Sequence, residues 1–121
     1  MEIIAEKHCV KYDEKKRRIH FTGSLLLNGA KEYAPILDML LHIASQCNNK
    51  KLTLDISKLK FLNSSGISMM AKFIVNIDGA KGGSLNLVVI AQESVYWQTK
   101  LAKNLCRLMP ELKVKLLKSD E

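Results

Sequence analysis

The sequence is short of the features that staple, anchor or activate a protein. Its three cysteines, Cys9, Cys47 and Cys106, are odd in number and widely spaced. They match no metal-ligand spacing and cannot all pair, so they read as reduced, space-filling thiols in a cytosolic protein. No segment approaches the roughly twenty apolar residues of a membrane span. Met1 to Val10 carries acids and lacks an apolar core, so no secretory signal is expected and the protein should be cytoplasmic. Aromatic residues make up 6% of the chain and do not interleave with its basic runs. Those runs therefore read as solvated surface before they read as a nucleic-acid groove.

Catalytic equipment is equally sparse. His8, His20 and His42 are dispersed and none sits at ligand spacing with a cysteine or carboxylate. Asp38, Asp55 and Asp78 form no pair along the sequence, although the fold could bring acids together. Gly79-Ala80-Lys81-Gly82-Gly83 follows a helical pattern and precedes a strand, the reverse of the order a phosphate-binding loop requires. No activating histidine neighbours a serine, so a hydrolase is not indicated. The chain is expected to be no enzyme and to need no cofactor or metal.

What is present is enough apolar residue for a core. The chain has 121 residues, 47% of them hydrophobic and 26% charged, which fits one globular domain spanning residues 1–121. Lys and Arg number nineteen against twelve Asp and Glu, a net charge of +7. The densest basic runs, Lys15 to Arg18 and Lys50-Lys51, fall where turns are expected. A nucleic-acid-binding domain is thus one alternative reading.

Residues Glu2 to Tyr12 pattern as one edge strand with Ile3, Ala5 and Val10 inward. Asp13 to Lys16 is a turn, and Ile19, Phe21 and Leu25 alternate as a second strand with a bend at Gly23-Ser24. Tyr33, Ile36, Leu37, Leu40, Ile43, Ala44 and Cys47 form a helical stripe. A strand over Leu52 to Ile56 follows, ending near Asp55, with a polar connection through Lys58 and Lys60. Asp55 there could meet a ligand or bond the next turn.

A second helix opens at Asn63-Ser64-Ser65-Gly66, since Asn and Ser accept hydrogen bonds from the free N–H groups of a first turn. Its stripe is Ile67, Met70, Ala71 and Ile74, which makes the side of Met69 and Phe73 the better contact candidate unless a wide buried face claims it too. Gly79 and Gly82-Gly83 close this helix, Leu85 to Ile90 is a buried strand, and Trp97, Leu101, Leu105 and Leu108 share a face of a third helix. Pro110 stops it before a last strand in which Leu112, Val114 and Leu116 alternate with lysines. Strand-helix-strand repeats imply a mixed α/β sheet of about five strands with helices layered on it.

That order, with Leu54-Asp55-Ile56-Ser57, Phe61-Leu62-Asn63-Ser64-Ser65-Gly66 and Gly82-Gly83-Ser84-Leu85, resembles the STAS domain of bacterial anti-sigma factor antagonists over nearly the whole chain. The resemblance implies a regulatory protein-binding module that switches partners in transcription signalling. Its partner would be a serine kinase that is also an anti-sigma factor, with a phosphatase to reverse the modification. By position the phosphorylated residue would be Ser64, with Ser65 as the alternative. The partner-binding surface would comprise Asn63, Ser64, Ser65, Gly66, Met69 and Phe73. Asn63 departs from the aspartate usual in phosphorylated relatives. Two other readings stay open beside it: an unphosphorylated STAS scaffold or oligomerisation module in which Ser64 is only a cap, and the basic nucleic-acid-binding domain.

Overall fold

The computed structural model describes residues 1–78 and 85–118, so Gly79, Gly82-Gly83 and Ser84, singled out in the sequence, lie outside the described residues. Nine elements follow one another: β1 (Glu2–Ile4), β2 (His8–Asp13), β3 (Arg18–Leu25), α1 (Gly29–Ser45), β4 (Lys51–Leu62), α2 (Ser64–Asp78), β5 (Asn86–Gln92), α3 (Tyr96–Leu108) and β6 (Lys113–Leu117). The strands form one sheet in the order β1-β2-β3-β4-β5-β6. β1, β2 and β3 pair antiparallel, and β3 to β6 pair parallel. The mixed sheet expected from the sequence is present, with six strands in place of five.

The extra strand arises because the segment taken as one edge strand turns back at Ala5 to Lys7. The Ala5 amide donates to the His8 carbonyl at 2.9 Å and the Ser24 amide donates to the Lys7 carbonyl at 2.8 Å. Gly23 permits that approach: its φ is +84°, and a Cβ there would collide with the Lys7 carbonyl oxygen. Ile3 therefore pairs with Val10 across two strands instead of sharing one with it, and Ala5 is exposed in the turn.

β4 also runs further than the sequence reading. Lys58 and Lys60 are not a connection but the exposed positions of one continuous strand, with Leu59 only 2% exposed between them. Asp55 is therefore mid-strand and not at a strand end. Pairing with β3 survives through two register irregularities, between His20 and Thr22 and between Gly23 and Ser24, where the bend had been expected.

Parallel strands taken in chain order, joined by crossovers of one hand, carry their helices on one face of the sheet. The packing agrees. α1 packs on α2 and α2 on α3, and their buried side chains share one core with Ile19, Phe21, Leu52, Leu54, Ile56, Leu87 and Val89. The alternate strand residues occupy the opposite face, where Lys11, His20, Asp55, Ile90 and Lys115 stand in register across five strands.

α2 lies between its two neighbours, so it buries a wider and differently centred arc than the sequence stripe. Met69 is 3% exposed and Phe73 fully buried, whereas Ile67 is 41% exposed. The expectation that Met69 and Phe73 form a free side is corrected: both belong to the core. In α3 the buried face is Gln98, Leu101, Ala102 and Leu105, with Trp97 half-buried and Leu108 exposed. Gln98 is tolerated there because its Nε2 donates to the Leu59 carbonyl at 3.1 Å and its Oε1 accepts the Gln92 amide at 2.7 Å.

The arc of α2 is open to direct measurement by urea unfolding. Phe73→Ala should lose about 3–5 kcal/mol, as truncation of a buried phenylalanine does. Ile67→Ala should lose less than about 1 kcal/mol, in keeping with a substitution at the surface.

Candidate functional site

The site lies where β3 and β4 end and the N-termini of α1 and α2 meet. Asn63 caps α2: its Oδ1 accepts the Gly66 amide at 3.0 Å and its carbonyl accepts the Ile67 amide at 2.9 Å. The same Oδ1 lies 2.7 Å from the Tyr33 hydroxyl of α1, and Nδ2 donates to the Leu27 carbonyl at 2.7 Å. One carboxamide thus joins the end of β3, the first turns of α1 and the start of α2. Tyr33 itself sits between two acceptors, Asn63 Oδ1 and the Leu25 carbonyl at 2.9 Å, and burial pushes its phenol pKa up. It stays protonated and shares one proton between them.

This geometry explains the amide at position 63. Aspartate caps a helix as well as asparagine does, but it has no proton to give the Leu27 carbonyl. An asparagine at this position therefore serves the loop that follows β3.

Ser65 is engaged across the interface between the helices. Its hydroxyl accepts the Gly29 amide at 3.2 Å, one of the N–H groups left free at the start of α1. Asn28, at the N-cap of α1, makes no side-chain cap, and its own amide is taken by Glu32 Oε1 at 2.9 Å. Gly66 is buried, and a Cβ there would collide with Leu62 and come within 2.8 Å of the Tyr33 hydroxyl. Of the polar run, Ser64 is the one exposed residue.

The candidate residues thus separate. Asn63, Ser65 and Gly66 are brought together with Ser64 at one end of the fold. Met69 reaches this surface only as part of a cavity of about 180 Å³ between α1 and α2, lined also by Ala30, Tyr33, Leu37, Ser65, Ser68 and Lys72. Phe73 takes no part. Phe61, 60% exposed, and Leu26, 53% exposed, lie near the ends of β4 and β3.

Sequence reasoning missed Tyr33 as a polar participant, having placed it only in an apolar stripe. The signal was available, since a buried tyrosine needs a partner for its hydroxyl. It gave no sign of Leu27, Gly29, Ser68 or Lys72, whose roles depend on the packing of α1 against α2.

A second polar cluster lies on the bare face of the sheet. Asp55 Oδ1 accepts both the Ser57 amide at 3.0 Å and the Ser57 hydroxyl at 2.6 Å, and Oδ2 lies 3.6 Å from His20 Nδ1. Of the two roles left open for Asp55, the bond to a nearby backbone amide is the one seen. The serine proton is held by the carboxylate, and the histidine lies beside the far oxygen, so the imidazole does not face the hydroxyl. Among the described residues no cluster of His, Cys, Asp and Glu could hold a metal ion.

The same disposition of strands and helices occurs in solved structures. SiaC of Pseudomonas aeruginosa superposes with a TM-score of 0.69 at 17% identity, covering 98% of this chain and 97% of that one. The chain has the STAS-like fold of SiaC. SiaC in complex with the diguanylate cyclase SiaD, also from Pseudomonas aeruginosa, gives 0.69 at 16% identity over 98% of both chains. Apo-SiaC gives 0.67 at 15% identity over 96% of this chain and 98% of that one. No protein-family model matches the chain, and no curated protein matches it in sequence.

The role of the amide can be read from stability. Asn63→Asp should cost about 1 kcal/mol in urea unfolding although the cap is kept, because the half-buried Leu27 carbonyl loses its donor. Asn63→Ala, which removes all the side-chain bonds, should cost more, and Ser64→Ala should lie within about 0.5 kcal/mol of wild type.

Proposed function

We propose that this protein is a regulatory protein-binding module, not an enzyme, whose contact surface surrounds the start of α2 and is switched by phosphorylation of Ser64. One observation carries the reading: the Ser64 side chain is exposed at a helix N-terminus whose flanking side chains, Asn63 and Ser65, are both committed to the fold. A kinase can reach Ser64 without breaking a described bond, whereas modification of Ser65 would displace its contact with Gly29.

Electrostatics supports the switch. A phosphoserine adds about −1.5 to −2 charges. The free N–H groups and positive dipole ends of α1 and α2 converge on this turn and favour such an anion by about 0.3–1 kcal/mol each. The fold should therefore tolerate the modification. A partner surface shaped for a neutral hydroxyl should not, and each 1.4 kcal/mol or so lost weakens binding about tenfold.

SiaC is the activator of the diguanylate cyclase SiaD, with which it forms a complex. That comparison supports a protein partner and favours an enzyme as the regulated output. The modifying partner in this proposal is a serine kinase, which could also be the sequestered anti-sigma factor implied by the STAS resemblance. No helix among the described residues is long and apolar enough to cross a membrane.

Protein carrying phosphoserine at position 64 should unfold within about 5 °C of the unmodified protein in a thermal melt. Tagged wild type and Ser64→Ala expressed in the source cells should retain the same partner, Ser64→Asp should lose it, and intact-mass analysis should find phosphate on wild type but not on Ser64→Ala. Retention of the partner by Ser64→Asp, with wild type free of phosphate, would remove the switch and leave the scaffold reading.

A further inference from the structure

We propose that the outer edge of β6 is a strand-addition site for an extended acidic segment of another protein, in which carboxylates alternate with aliphatic side chains. The inference is independent of Ser64 and rests on the last strand of the sheet. β6 pairs with β5 alone, and no described residue pairs with its other side. The Leu117 carbonyl accepts the Glu93 amide at 2.8 Å, so the backbone groups of Leu117 face β5. Successive residues of a strand direct their backbone groups to opposite sides. Those of Lys113 and Lys115 therefore also face β5, while the N–H and C=O groups of Val114 and Leu116 point outward as a template for another strand.

The side chains specify what would be added. Val114 and Leu116 stand in register with Val89 and Ala91 on the helix-covered face, yet they are 37% and 42% exposed because the helix layer stops short of this edge. Lys113 and Lys115 stand in register with Val88 and Ile90 on the bare face and are exposed. An incoming strand would continue both rows. Its aliphatic side chains would extend the apolar shelf, and its carboxylates would lie beside the two lysines, since cross-strand neighbours share a face.

The charge argues against the other occupants. Lysines on an edge guard against pairing with a like strand, and a second copy joined antiparallel through β6 would set lysine against lysine. Along the sequence α3 carries Lys100, Lys103 and Arg107 and no acid, Glu111 is the one carboxylate between it and β6, and Glu93 is the acid whose amide meets the end of β6. Protection alone would need only the lysines. The paired exposure of Val114 and Leu116 completes a surface with two chemically distinct rows, a mode of recognition in which the main chain supplies affinity and alternate side chains supply selectivity.

The test uses the full chain, a synthetic peptide alternating glutamate with valine and leucine, and a counterpart with lysine in place of glutamate. In amide-resolved NMR titrations the acidic peptide should shift and protect the Val114 and Leu116 amides and bind about tenfold more tightly than the basic one. Leu116→Pro removes an outward donor while leaving the β5 ladder intact, and should abolish binding in a protein whose spectrum is otherwise native. Lys113→Glu with Lys115→Glu should invert the preference toward the basic peptide. Equal binding of the two peptides, shifts confined to another surface, or full binding by folded Leu116→Pro would overturn the proposal. So would concentration-dependent self-association through β6 without peptide, or tighter binding of an oligonucleotide at the same amides.

Discussion

The Asn63 carboxamide is the constraint on which the end of the molecule that carries Ser64 depends. Its oxygen faces the Gly66 amide and the Tyr33 hydroxyl, and its nitrogen holds the Leu27 carbonyl. The loop after β3 and the first turns of α1 are thereby tied, across 36 and 30 residues of sequence, to the start of α2 through one planar group in which donor and acceptor cannot be exchanged. Buried polar groups left unpaired cost about 1–3 kcal/mol each, so the arrangement is kept whole or lost whole. The close fit of Gly66 against Leu62 and Tyr33 prevents α2 from sliding relative to β4, and with it fixes where Ser64 emerges.

A division of labour among adjacent polar residues follows from this. Asn63 holds the turn together, Ser65 satisfies an amide of the neighbouring helix, and Ser64 is left with no described structural duty. The cavity between α1 and α2 begins beside Ser65 and runs along the exposed side of Ser68 and Lys72. A surface at once rigid in backbone and free in one hydroxyl suits a module read by other proteins, because a change at that hydroxyl alters the surface without unfolding what lies beneath.

The parts of the fold legible in the sequence were those governed by local chemistry. The helix start at Asn63, the strongly periodic stripe of α1, the stop at Pro110 and the bend at Gly23 each follow from a residue's own donors, acceptors or allowed dihedrals. What escaped depended on a third partner. Lys58 and Lys60 looked like a connection because a strand with one bare face carries lysine on that face, and only the pairing of β3 with β4 shows it. Met69 and Phe73 looked free because a helical stripe assumes one packing surface, whereas α2 has a neighbour on either side as well as the sheet below. At the site, Ser64 was found from its place in a capping sequence. Tyr33 signalled only that its hydroxyl needed some partner, and Gly29 signalled nothing, since no local feature announces which hydroxyl or amide a distant asparagine or serine will meet.

The order of the strands across the sheet coincides with their order along the chain. No strand must be threaded between two that have already paired, so assembly can proceed by accretion at a single growing edge, with each new unit docking on its immediate predecessor. Each parallel pairing then closes one crossover at a time, so the loop-closure cost is met in steps. During synthesis from the N-terminus the residues that build the turn around Ser64, the last of them Ile67, emerge before β5, α3 and β6 exist. The turn that carries Ser64 can thus take shape on a nascent chain, while its rear half is still unmade.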